Sequence, residues 1–389
     1  MNLITASSAS VEQNAMLAEI GGLLLVLGVA AFVATRFRFS VVPVYLIFGL
    51  ALGKGGLFPV DLSEEFLNTG AQIGAILLLL LLGLEYSGPE LVAAIRNKRS
   101  AGLIDFLLNA LPGALIALII GWGPIGAMVL GGITYVSSSG IAAQMLKETG
   151  WQRSELSRRI TSVLVIEDLF LAPYLPLLTA IVFGLGAATG FVSVAVAILM
   201  TSLALLLSFR GSKTWSSILD TQSPGGLLLT VFGGALMAAG FAAMVGFSSS
   251  VAAFLVGLML TGEVANAVRA RLSPLRDLFA AIFFLFFGLN VSVSEIPGVL
   301  PLALLLAGVG IAGKMFTGWW IARDMADGLS WYRAGAFLIP RGEFSILIAS
   351  LAVGSAFGGQ IEALTLTYVI LTTIASSIAL RLFRSKLES

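Results

Sequence analysis

Stretches of about 20 predominantly apolar residues recur along nearly the whole chain, and each is the length needed to cross the hydrocarbon core of a bilayer. A water-soluble fold needs polar residues on its surface, and no interval between these stretches has the size of a soluble domain. Composition agrees: 58% of the 389 residues are hydrophobic and 11% charged, with a mean hydropathy of +1.01, against roughly 25% charged in soluble domains. The expected fold is an all-α polytopic membrane protein, residues 1–389 forming a single transmembrane unit.

Breaks in the apolar pattern divide it into about thirteen spans: 16–35, 41–57, 68–87, 101–121, 124–146, 156–183, 187–208, 225–245, a short 249–261, 275–293, 296–322, 331–356 and 364–382. Residues 1–14 are polar with no basic leader, so the first apolar run reads as a span rather than a signal peptide. The positive-inside rule tests the count, because one missed helix inverts every later loop. Alternate loops hold Arg36 and Arg38, then Arg96, Lys98 and Arg99, then Lys147, Arg153, Arg158 and Arg159. The series continues through Arg210, Lys213, Arg269, Arg271, Arg276, Arg323 and Arg333 to Arg381, Arg384 and Lys386, nineteen of the twenty-two basic residues. The N-terminus is thus expected outside and the C-terminus in the cytoplasm, in the inner (plasma) membrane.

A formal net charge of +1 leaves no basic footprint for nucleic acid. With neither cysteine nor histidine, thiolate metal sites, disulfides and imidazole chemistry are excluded. Protons that move must use carboxylates.

A charge near the bilayer centre costs about 2.5–3.5 kcal/mol on insertion scales, so an ionisable residue inside a span is by default a functional candidate. Asp105 lies near a span's end, four residues before Asn109 and close to Lys98 and Arg99, where a local ion pair or snorkelling is the expected account. Glu167 and Asp168 lie deeper, in Leu164-Val165-Ile166-Glu167-Asp168-Leu169-Phe170. Neighbours on a helix point about 100° apart, so the two carboxylates are expected to meet different partners. Crowding two charges into an apolar span favours proton uptake by at least one of them. Lys314 is the expected counter-ion for one member.

Two spans are interrupted in their middle, at Gly131-Gly132-Ile133-Thr134-Tyr135-Val136-Ser137-Ser138-Ser139-Gly140 and at Pro340-Arg341-Gly342-Glu343. Membranes tolerate broken helices only where the freed backbone groups are buried in protein or line a cavity, and one break in each half points to a transporter's binding site. Thr134, Ser137 and Ser138 are candidate cation ligands beside Asp168, although such a serine run also serves as helix-packing glue. The Ser248-Ser249-Ser250 run reads instead as a helix N-cap.

Three of these stretches, Ile133-Thr134-Tyr135-Val136-Ser137-Ser138-Ser139, Glu167-Asp168-Leu169-Phe170-Leu171-Ala172 and Arg341-Gly342-Glu343-Phe344-Ser345, give the chain a resemblance to the monovalent cation:proton antiporter-2 family. The resemblance is in particular to its Kef- and Kht-like potassium/proton branch. The resemblance implies a sodium/proton-antiporter-like fold of inverted repeats with two crossed discontinuous helices. Core transport helices would lie at about 68–183 and 275–356, the remainder forming a dimerisation scaffold, and the core would move like an elevator. It also implies a homodimer, no cofactor, and K+ (with Na+ as the second choice) exchanged for H+ at Asp168. Glu167 would belong with Asp168 to the cation/proton-binding set, and Lys314, Arg341 and Glu343 would balance charge. The residue before Asp168 is neither the Gln of glutathione-gated Kef proteins nor the Asp of several sodium exporters. Many relatives carry a nucleotide-binding regulatory domain after the last span; here its role would fall to a separate subunit of the RCK/TrkA-C type or to sequence beyond residue 389.

The rival reading is a sodium-coupled solute symporter, since such folds also use broken helices and midplane carboxylates. No repeated carbonyl filter suggests a channel. No zinc or Gly-x-Gly-Asp motif suggests an intramembrane protease, so no enzymatic activity is expected.

Overall fold

In the computed structural model the described residues are 2–36, 40–53, 56, 64–84, 99–148, 151, 154–183, 223–244 and 248–384, with isolated positions between 195 and 206. Their regular structure is entirely helical: α1 Asn2–Arg36, α2 Val41–Leu52, α3 Glu64–Gly83, α4 Arg99–Ile119, α5 Gly123–Tyr135, α6 Ser139–Glu148 and α7 Glu155–Phe183. The second part holds α8 Pro224–Met244, α9 Ser249–Met259, α10 Gly262–Asn290, α11 Ile296–Ala322, α12 Ser330–Leu338, α13 Glu343–Leu351 and α14 Gly358–Arg384. Nine helical stretches among the described residues are long and apolar enough to cross a bilayer. The expected span 187–208 lies outside the described residues apart from those isolated positions.

Two helices run further than the apolar pattern suggests. α1 begins at Asn2, because a long apolar helix supplies the nucleus and adding turns to it is cheap even for polar residues. α10 begins at Gly262 and includes Arg269, Arg271 and Arg276, which the hydropathy pattern assigns to a loop. Val264, Ala265, Val268 and Leu272 form its buried stripe, at the spacing of one helix face. As expected, Ser248 N-caps α9, its side chain accepting from Val251 N at 3.4 Å.

The outside of the molecule is apolar and its inside holds charge, the reverse of a water-soluble domain. Leu25, Phe32, Leu118, Leu229, Phe241 and Ile378 are exposed, whereas Arg341 and Lys314 are among the largest fully buried side chains. α7 runs between opposite rims, about 43 Å apart at 1.5 Å per residue. At one rim Arg159 bonds Asp324 and donates to Ile321 O at 2.7 Å, and Arg333 lies 4.7 Å from the Trp151 ring centroid. The Arg159 hydrogen bond holds the Asp324 carboxyl below its usual range. At the other rim Val182 shares a cavity with Trp122 and Phe357, whose rings stack at 5.0 Å. Among the described loops, those around Trp151 and residues 323–329 thus lie at one rim and those around 120–122 and 352–357 at the other.

α3 packs on α9 and α10, and α2 on α10. Glycines set these distances. A Cβ on Gly83 would lie 2.2 Å from Phe254 O, and one on Gly257 2.2 Å from Leu80 O, so the two backbones touch where neither residue has a side chain. Gly83→Ala is expected to force α3 from α9 and to cost on the order of 1–3 kcal/mol, the usual range for overpacking. A melting curve in detergent indistinguishable from wild type would refute this.

Candidate functional site

The two broken helices meet at their breaks. Ser138 N donates to Pro340 O at 2.8 Å, and Ser345 Oγ to Ile133 O at 2.8 Å. Backbone groups freed where α5 and α12 end are thus satisfied by the opposite break, as a dry interior requires. Ser138 is the N-cap of α6: its hydroxyl accepts from Ile141 N at 3.3 Å and donates to Glu343 Oε2 at 2.9 Å. Glu343 is the first residue of α13, where the positive end of the helix dipole favours a carboxylate.

Arg341 is fully buried. Nε and Nη2 donate to Thr134 O at 3.1 and 2.8 Å, and Nη1 to Leu338 O and Ile339 O at 3.2 and 2.7 Å. One planar fork therefore closes the C-terminal ends of both α5 and α12, where orphan carbonyls and negative dipole ends coincide. Nη2 also reaches Asn109 Oδ1 at 3.3 Å. The charge that Arg341 balances is chiefly that of carbonyl dipoles.

Behind the breaks lies a buried triad. Lys314 Nζ donates to both oxygens of Asp105 at 2.9 Å and to Glu167 Oε1 at 3.0 Å. Asp105 Oδ1 further accepts from Thr317 Oγ1 at 2.9 Å and Asn109 Nδ2 at 3.0 Å. Glu167 Oε2 accepts from Ser137 N. The Ser137 hydroxyl sits between Glu167 Oε1, at 3.2 Å, and Leu338 O, at 2.8 Å. Glu167 is therefore bonded at once to α11 and to the first break.

Asp168, one residue on, faces elsewhere. It is buried and lines a cavity of about 350 Å³ with Ser139, Gly140, Thr161 and Glu343, whose lining extends to Arg269 and Arg276. The adjacent carboxylates thus occupy unlike surroundings, one inside a saturated ion-pair network and one on a cavity wall, as the 100° step between neighbours requires.

Several expectations change. Asp105 is neither snorkelling nor locally paired: it is fully buried and bonded to Lys314. α4 starts at Arg99, which puts Asp105 about 9 Å inside the helix, and an interior ammonium with three donors takes more than one carboxylate. Thr134 directs its hydroxyl to Asn109 O at 2.8 Å and Leu130 O at 2.9 Å, tying α5 to α4. Asn109, noted in sequence only as a neighbour of Asp105, and Thr317, which did not stand out, complete the triad's bonding. Their spacing from Asp105 and Lys314, four and three residues, does put each pair on one helix face.

Residues 22–384 match the sodium/hydrogen exchanger transmembrane family. The chain is 27% identical over 370 residues to the K(+)/H(+) antiporter subunit KhtU of Bacillus subtilis, covering 92% of this chain and 90% of that protein. It is 30% identical over 389 residues to the ammonium/H(+) antiporter subunit AmhT of Alkalihalophilus pseudofirmus, covering 95% of each. The glutathione-regulated potassium-efflux protein KefC of Klebsiella pneumoniae matches at 28% over 94% of this chain and 60% of its own length. The fold matches the sodium proton antiporter MjNhaP1 of Methanocaldococcus jannaschii, with a TM-score of 0.69, 18% identity and coverage of 94% and 100%. These relatives agree with the Kef/Kht resemblance and are transporters rather than enzymes. The chain, a multi-pass membrane protein, belongs to the sodium/hydrogen exchanger transmembrane family.

Proposed function

We propose that this protein exchanges a monovalent cation, K+ in preference to Na+, for protons, with Asp168 as the carboxylate that holds one or the other. The observation that carries the reading is the division of the acidic pair. Glu167 is engaged by Lys314 and Ser137, while Asp168 borders a cavity beside the ends of both broken helices. A deprotonated Asp168 takes the cation, with oxygens of Ser139, Thr161 and Glu343 on the same cavity wall. Protonation expels the cation, and because one carboxylate cannot hold both, the two fluxes couple. Ser137 and Ser138 shape the site through Glu167 and Glu343.

The cavity lining includes Arg269 and Arg276, which supports access from the cytoplasmic side, with the N-terminus outside and the chain in the inner membrane. The hydrogen-bond network ties α4–α7 to α11–α14, whereas α3 and α10 pack with α2, α8 and α9. This grouping supports a core that moves like an elevator against the rest, its boundary drawn to leave out α3 and α10 and to take in α14. Two relatives are named as subunits, which supports a separate cytoplasmic regulatory subunit, and a homodimer fits the exposed apolar helices. The transported ions are the substrates, and no cofactor enters. A sodium-coupled solute symporter is not favoured, because the matched relatives are named for cation and proton exchange.

In proteoliposomes with an acidic lumen that quenches a pH dye, external K+ is expected to restore fluorescence at lower concentration than Na+, with no solute present. A strict requirement for an organic solute would overturn the reading.

A further inference from the structure

The buried ammonium is shared unequally. Lys314 spends two of its three donors on Asp105, one to each oxygen, and the third on Glu167. Asp105 in turn accepts four hydrogen bonds, three at Oδ1, from Lys314, Thr317 and Asn109, and one at Oδ2, from Lys314. All of these groups are buried. Glu167 takes a single bond from Lys314 and is otherwise held by Ser137 of the first break.

We infer that Asp105 is a positioning residue that acts as the standing counter-ion of Lys314, so that the lysine does not neutralise Glu167 and a full negative charge stays beside Asp168. The inference rests on the antiport reading. Asp105 and Lys314 together carry no net charge. Cation attraction at the exchange site is then set by Glu167, Asp168 and Glu343 against Arg269 and Arg276 of the same cavity lining, while the positive charge of Arg341 is absorbed by carbonyls at the helix ends. The groups facing the triad are Asn109 from α4, the Tyr135 ring of α5, 5.6 Å from Lys314 Nζ, Ser137 from the first break and Thr317 from α11. Arg341 reaches it indirectly, through Asn109 and through Leu338 O and the Ser137 hydroxyl.

The consequence differs from that of a simple Lys314–Glu167 pair. Removing the Asp105 charge releases Lys314 wholly to Glu167 and puts a positive charge nearer the exchange carboxylate. The pH midpoint of exchange in Asp105→Asn should move to more acidic values by about one unit, as a new nearby opposite charge favours the ionised carboxylate. Removing the neutral pair, in Asp105→Asn with Lys314→Met, should return the midpoint toward that of wild type.

The full chain, as wild type, D105N, E167Q, D105N/K314M and E167Q/K314M, is to be compared by melting in detergent and by pH-dependent exchange in liposomes. Expected are a smaller loss of melting temperature in E167Q than in D105N, and in D105N/K314M than in E167Q/K314M, which leaves Asp105 charged without its lysine. Failure of D105N to fold while E167Q folds counts for the inference; failure of E167Q to fold, or the reverse ranking in either pair, overturns it. An unmoved midpoint in a folded, active D105N also overturns it. The melting order does not involve Asp168, so it stands or falls separately from the antiport reading.

Discussion

Asp168→Asn is expected to reduce cation-dependent proton exchange in proteoliposomes to the level of protein-free vesicles, with the melting temperature unchanged. Asparagine has nearly the volume of aspartate and keeps one acceptor oxygen, so packing on α7 survives. What it loses is the ability to alternate between an anion that attracts a cation and a neutral acid that releases it. The site has no histidine to stand in, and Glu167 is occupied by Lys314 and Ser137. Exchange persisting in a folded Asp168→Asn protein would show that the reacting carboxylate lies elsewhere.

The second large effect is on stability. Arg341→Met removes the side chain that serves Thr134 O, Leu338 O and Ile339 O. Leu338 O keeps the Ser137 hydroxyl, but Thr134 O and Ile339 O lose their donor at about 1–3 kcal/mol for each buried acceptor, so the variant should lose at least about 2 kcal/mol and lose the joint between the breaks with it. Arg341→Lys should rescue only part, because an ammonium cannot present the planar fork that spans two helix ends. Chemical denaturation in detergent measures both. Full rescue by lysine would mean that charge alone matters there, and a wild-type melting curve for methionine would remove Arg341 from its bridging role.

The architecture was legible in the sequence for a plain physical reason: lipid demands runs of apolar residues of one length, and charge cannot enter them without a use. That logic picked out Glu167, Asp168, Lys314 and Arg341, all of which the structure places at or around the meeting of the two breaks. It failed where the partner is set by the fold. Asp105 and Lys314 are 209 residues apart, and nothing local distinguishes a carboxylate at a helix end that snorkels from one that turns inward. Hydroxyl roles were illegible for a similar reason. Thr134, Ser137 and Ser138 each turn to whichever carbonyl or carboxylate the opposing helix brings near. The extension of α10 was hidden because its basic residues interrupt the apolar run while its buried stripe continues beneath them.

The central claim is that proton and cation compete for one carboxylate. The most direct test is the initial rate of exchange against cation concentration at a series of pH values. Competition predicts that on the acid side each unit of falling pH raises the apparent KM about tenfold while the maximal rate holds, because the ligands exclude each other reciprocally. A KM independent of pH, with the maximal rate carrying the whole pH dependence, would contradict it.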